Sequence, residues 1–283
     1  MKFSRYLLCA AILLSFLATL CAGGAPSSPL QRDTISFNPA GAIALVASDG
    51  VGQDKLAGQD KPAYQPDGSE GEISGSVLIE GDPPPPKHID MGQDPDCQVA
   101  NPEATTEDVV VNGDKLANVL VYVEGNVLDQ YSFDPPDTPV TLHHTACEFS
   151  PRVVGLVAKQ YIEIVNDDAT THNTHAESIR DQEWNFSMSA GSEPVIKVFT
   201  RPEIMIPVRC NQHPWERAYI GVLSHPFFSV TGQDGSFTIR GLPPGNYRLM
   251  AWHEKFGSRS ATITIKPGDS INYDFTFNLQ SSR

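Results

Sequence analysis

Residues 231–254 read TGQDGSFTIRGLPPGNYRLMAWHE, and their punctuation decides the fold. Asp234-Gly235 is a tight-turn signal set just before a run in which Phe237 and Ile239 alternate with polar residues. Pro243-Pro244-Gly245 marks the next turn, and another strand pattern starts at Tyr247. Further on, Tyr273, Phe275 and Phe277 alternate with Asn272, Asp274 and Thr276, so one face of that strand is buried. A period of two, cut by Gly, Pro, Asn and Asp, predicts antiparallel strands.

The same texture extends upstream to Glu72. Candidate strands rich in Val, Ile, Tyr, Phe and Thr fall at 73–80, 108–111, 116–124, 139–142, 160–166, 193–200, 204–210 and 218–223. They continue at 227–231, 236–240, 247–252, 261–266 and 272–278, and no segment carries a convincing helical period. The expected class is all-β, of sandwich type. Residues 25–70, rich in Gly, Pro, Ser, Asp and Gln, read as a flexible tether.

The N-terminus has Lys2 and Arg5, a largely apolar run from Leu7 to Leu20, and then small residues. That pattern predicts a secretory signal peptide over residues 1–24, too short to span a bilayer comfortably. Lipidation at Cys21 is the less favoured alternative, because Ala18-Thr19-Leu20 is a poor lipoprotein box. The expected location is periplasmic or cell-surface, the tether leaving room for attachment to the surface. Removing residues 1–24 takes Lys2 and Arg5 but no acid, moving the formal charge from −14 to −16. A surface this acidic argues against nucleic acid or anionic lipid as partner, and solubility explains it most simply.

The mature chain keeps Cys97, Cys147 and Cys210. Sequence alone leaves all three pairings open; the expectation is a Cys97–Cys147 disulfide with Cys210 free as a thiolate. Cys210 opens the stretch CNQHPWE (210–216), with His213 three residues on. Upstream, the strand at 160–166 runs into DDATTHN, which puts His172 just beyond its end. A soft thiolate and two imidazoles are what a blue-copper site needs, usually with a weak axial ligand such as Met. Cys210, His213 and His172 at one end of a sandwich would supply it.

Two resemblances follow from these residues. The DG-x-F-x-I…LPPG-x-Y-x-L series resembles the carboxypeptidase regulatory-like (prealbumin-like) module over about 50 residues. The N-D…H-N and C-x-x-H-P-W elements resemble the cupredoxin (plastocyanin/azurin) family, and the compact loop is most similar to the amicyanin type. Together they imply a cupredoxin Greek-key β-sandwich over 71–228 and a smaller regulatory-like β-sandwich over 229–283. Strand 73–80 is counted with the first module, with pairing to the second, whose usual first strand its I-S-G-S-V pattern resembles, as the alternative. The resemblance further implies one copper ion held by His172, Cys210 and His213, with Asn173 tying the two ligand loops together. Pro214 and Trp215 would flank the ion, Trp215 as a cover or, beside an exposed edge of His213, as part of a docking patch.

The departure from the family lies at Glu216, where it has Met. Three readings stand: Glu216 ligates copper, as in the nitrosocyanin-like type; it faces solvent; or the site is degenerate. Met188 and Met205 are expected in the core, His175 at the surface, and His143 and His144 in a loop beside the disulfide. His225 and His253 fall at the junction and in the second module. Neither G-x-S-x-G nor H-E-x-x-H occurs, and no second histidine cluster suggests another copper type, so enzyme function is not expected. The function expected is a secreted single-copper electron carrier with a redox partner protein. The alternatives are a β-sandwich binding or structural module that has lost copper, and copper storage or delivery.

Overall fold

The computed structural model describes residues 61–279; the expected signal peptide and the tether up to residue 60 lie outside the described residues. Four strands come first among the described residues: β1 (Gly71–Glu80), β2 (Val111–Asn112), β3 (Lys115–Leu116) and β4 (Leu120–Glu124). Nine follow: β5 (Val140–Thr145), β6 (Glu148–Ser150), β7 (Val153–Val157), β8 (Tyr161–Asn166), β9 (His172–Ala176), β10 (Trp184–Met188), β11 (Val195–Val198), β12 (Glu203–Arg209) and β13 (Arg217–Leu223). The last six are β14 (Phe228–Val230), β15 (Ser236–Leu242), β16 (Gly245–His253), β17 (Gly257–Ile265), β18 (Ser270–Asn272) and β19 (Phe275–Asn278). The fold is all-β, as the alternation predicts. The one α-helix among the described residues is short, α1 (Pro95–Ala100), started by Asp94, which accepts from the backbone N–H groups of Asp96 and Cys97.

Pairing sorts the strands into two sandwiches. β5–β13 form one, from sheets ordered β10-β9-β12-β13-β7 and β11-β8-β5-β6. Its core contains Leu142, Leu156, Ile162, Ile164, Phe199, Ile206 and Ile220. The other joins β15-β1-β3-β2, with β18 and β19 on β1, to β14-β4-β16-β17. Its core contains Ile73, Val77, Val121, Val123, Phe237, Tyr247, Leu249, Phe275 and Phe277.

The strand pairing therefore divides the chain differently from a boundary at residue 228. β1 runs antiparallel to β15, β4 runs antiparallel to β16, and the β5–β13 sandwich is inserted between β4 and β14. Residues 61–70, read as the end of the tether, also pack in: the Tyr64 hydroxyl donates to Gly241 O at 3.0 Å, and its ring meets Tyr131, Phe133 and Phe227. Of the expected strand at 108–111 only Val111 is in a strand, as the first residue of β2, which pairs with β3.

β4 is buried on both faces. Val119, Val121 and Val123 enter the core of its own sandwich, while Leu120 and Tyr122 pack with Val153, Leu223, Met205 and Met250 against the inserted one. The approach is close: a Cβ on Gly155 would meet the Phe228 ring at 2.5 Å, and one on Gly221 would meet Leu120 at 2.5 Å. Arg152 clamps the same junction by a two-point bond to Glu254, at 2.5 and 3.0 Å. Met205 is thus buried between the sandwiches, and Met188 in the core of the inserted one.

Candidate metal centre

β12 ends at Arg209 and β13 begins at Arg217, so residues 210–216 form a tight loop at one end of the inserted sandwich. The loop is closed by Cys210 N–H to Glu216 O at 3.2 Å and Glu216 N–H to His213 O at 2.9 Å. Beside it, β9 starts with His172 as its first residue. The loop and the strand bring His172, Cys210, His213 and Glu216 together, with one donor atom of each within 4.8 Å of the others, and all four buried. Cys210 is the free cysteine among the described residues; Cys97 and Cys147 are joined in a disulfide.

Both imidazoles turn Nδ1 inward. The two Nδ1 atoms are 2.9 Å apart, and that of His213 is 3.6 Å from Cys210 Sγ. Their other nitrogens are tied to carboxylates: His172 Nε2 to Asp168 Oδ2 at 2.9 Å, and His213 Nε2 to Asp94 Oδ2 at 3.1 Å. A ring that donates from Nε2 keeps its Nδ1 lone pair for the centre, the arrangement that orients and strengthens metal-ligating histidines. Both carboxylates are themselves held. Asp168 accepts from Ala146 N–H and Cys147 N–H at 2.7 and 2.9 Å, and Asp94 from Thr170 Oγ1 at 2.8 Å.

Asn173 lies between the two segments. Its backbone N–H donates to Cys210 Sγ at 3.3 Å, and its Oδ1 accepts from Asn211 N–H at 3.3 Å, joining the two ligand segments. Glu216 does not face solvent: its side chain is 0 % exposed, with Oε2 3.0 Å from His172 Nδ1 and 3.8 Å from His213 Nδ1. The expected open edge of His213 is covered as well. Asp94 and the disulfide occupy it, with Cys97 Sγ 3.7 Å from His213 Nε2. Trp215 lies against His213 with ring centroids 5.2 Å apart and donates from Nε1 to Cys147 O at 3.0 Å. Pro214 is exposed and Trp215 half-buried, so these two, rather than the histidine, reach the surface.

The electrostatics follow from burial and pairing. Burial opposes charge on His172, yet its bonds to Asp168, Cys210 and Glu216 outweigh that cost and raise the imidazole to about 11. His213 behaves alike: burial is outweighed by Cys210, Glu216 and Asp94, and the group is raised to about 10. Burial would raise the Cys210 thiol, but His172 and His213 hold it below its usual range. Glu216 is held far below the carboxylate range in spite of its burial, through His144, His172 and His213. Without an ion the two imidazoles supply the positive charge that Cys210 and Glu216 call for, and a bound cation would take that place. The donor set fits copper: one soft sulfur, two imidazole nitrogens and one oxygen around a common point.

Three histidines differ from expectation, the first being His143, which lies in β5 rather than in a loop. His175 is buried, not superficial, and its ring bridges Asn211 and Glu183. His144 is not a loop residue: it lies in β5, fully buried, with Nδ1 2.5 Å from Glu216 Oε1. The missed signal was alternation, since His144 shares the face of the core residue Leu142 while His143 points outward to Asp167. Asp94 and Asp168 were also unassigned, and only the spacing of Asp168 four residues before His172 hinted at its role.

A family model for the carboxypeptidase regulatory-like domain matches residues 211–278. No curated protein matches the sequence. Among solved structures, the copper-containing nitrite reductase of Thermus scotoductus SA-01 is similar at 20% identity and a TM-score of 0.28, over 40% of this chain and 25% of that one. A purple cupredoxin from Nitrosopumilus maritimus is similar at 18% identity and a TM-score of 0.26, over 29% of this chain and 98% of its own. An oxidised amicyanin mutant is similar at 16% identity and a TM-score of 0.28, over 31% of this chain and 84% of its own.

Proposed function

We propose that this chain is a mononuclear copper protein that carries single electrons outside the cytoplasm. The observation that carries this reading is the convergence of two Nδ1 atoms on the free, buried Cys210, with both Nε2 atoms anchored by carboxylates. The holding residues are His172, Cys210 and His213, with Glu216 as the fourth. Bound there, copper supplies a one-electron couple. The protein does the rest. Asp168 and Asp94 fix the two rings, Asn173 fixes the sulfur, and Trp215 with the Cys97–Cys147 cap excludes water. The Glu216 oxygen is harder than a thioether and favours the oxidised ion, which lowers the potential.

The signal-peptide pattern and the disulfide both support an oxidising location, periplasmic or at the cell surface. A redox partner protein would dock on the surface of Pro214 and Trp215, because the edge of His213 is closed. No helix among the described residues is long and apolar enough to cross a membrane. Storage or delivery of Cu(II) is the second reading, favoured by the buried carboxylate. Voltammetry of the copper-loaded protein separates the two. A carrier cycles reversibly without losing its metal; a protein that releases copper on reduction is a store.

A further inference from the structure

Resting on the reading of Glu216 as a ligand, we infer that His144 is a positioning residue that fixes this carboxylate so that it meets the metal through one oxygen. His144 stands on β5, between β6 and β8, where its backbone is held on both sides. Its side chain crosses the sandwich to the opposite sheet. There Nδ1 meets Glu216 Oε1 at 2.5 Å and Nε2 meets Thr174 Oγ1, on β9, at 2.8 Å. Both ring nitrogens are thereby used, so His144 is not itself a ligand. Beside a carboxylate, Nδ1 must donate; Thr174 then donates to Nε2.

The consequence for Glu216 is directional. With Oε1 held by His144, only Oε2 faces the Nδ1 atoms of His172 and His213. The His144 ring also stacks on that of His172, with centroids 4.6 Å apart and planes 17° from parallel, so one side chain steadies two donors. Remove the imidazole N–H and a buried oxygen loses its partner; the carboxylate turns to recover one, and the donor set loses its fixed geometry. Such outer partners are worth about ten- to a hundredfold in metal affinity.

The test compares four variants by Cu(II) titration and by electron paramagnetic resonance of the loaded proteins. Glu216→Gln defines the signal of the site without its carboxylate. His144→Phe keeps a stacking ring but no donor; it should weaken Cu(II) binding by about tenfold or more and move the resonance toward that of Glu216→Gln. His144→Asn, whose amide nitrogen can replace Nδ1–H, should restore the wild-type signal. Thr174→Val releases the far end of the ring and should shift the signal in the same direction as His144→Phe, which keeps the test open if that variant fails to fold. Wild-type affinity and resonance in folded His144→Phe or in Thr174→Val, with Glu216→Gln altered, would overturn the positioning role alone. A Glu216→Gln protein identical to wild type would instead overturn the ligand reading beneath it.

Discussion

Consider the loss of the disulfide through the double change Cys97→Ala and Cys147→Ala. The bridge joins residues 50 apart, and closing a loop of that length in the unfolded chain is worth about 4 kcal/mol in the entropic model. The bridge also pins the cap. Its sulfurs lie in a small core with Met91 and Ala104, against Ile89 and Trp215. What remains across the cap boundary is Asp94 to His213 and Thr170, and Asn101 Nδ2 to Ala146 O at 3.3 Å. Each such bond contributes on the order of 1 kcal/mol, too little to hold a short helix against its chain entropy. The double variant should therefore lose about 4 kcal/mol in guanidinium unfolding of the metal-free protein. It should also open the edge of His213, so that a competing chelator strips copper from the loaded variant faster. A loss below about 1 kcal/mol together with unchanged copper release would refute the claim that the disulfide secures the cap over the site.

Three further outcomes follow from the same geometry. Asp168→Ala frees Nε2 of His172 and leaves the N–H groups of Ala146 and Cys147 without their acceptor, so Cu(II) affinity measured by competition should fall about ten- to a hundredfold. Burial lowers His225 to about 4, and burial with the nearby Arg152 lowers His253 to about 4, from an ordinary 6.5. The unfolded chain then binds more protons, so stability holds above about pH 6.5 and declines as pH falls toward 4, by roughly 3 kcal/mol for each histidine; unfolding curves of His253→Phe should show a shallower acid slope. A Cβ on Gly75 would stand 1.9 Å from Tyr273 O, so Gly75→Ala should destabilise the sandwich around β1 by at least about 2 kcal/mol, read by thermal unfolding.

Much of this was legible in the residues themselves. Alternation and turn chemistry identified the strands of the 231–254 stretch, because β15 and the first half of β16 bury one face, before Met250 turns to a second core. β4 shows where such reading stops. Its sequence LVYV is apolar at every position because two different cores claim its two faces, and no local pattern says that the second core belongs to an inserted sandwich. Cys210, His213 and Glu216 were legible because they share one short loop, and His172 because an Asn follows it. His144, Asp94 and Asp168 act through contacts made across 72, 119 and only 4 residues, and the two distant ones leave no spacing to read. The short helix α1 escaped because its six residues are held by an Asp cap and a disulfide rather than by an amphipathic repeat.

The central claim is that Cys210, His172 and His213 hold one copper ion, and its most direct test is a Cu(II) titration of the mature protein with its disulfide intact, followed in the visible range. The account predicts uptake of one equivalent, with an intense thiolate-to-metal absorption that is lost in Cys210→Ser while the fold survives. No uptake, or the same band in Cys210→Ser, would contradict it.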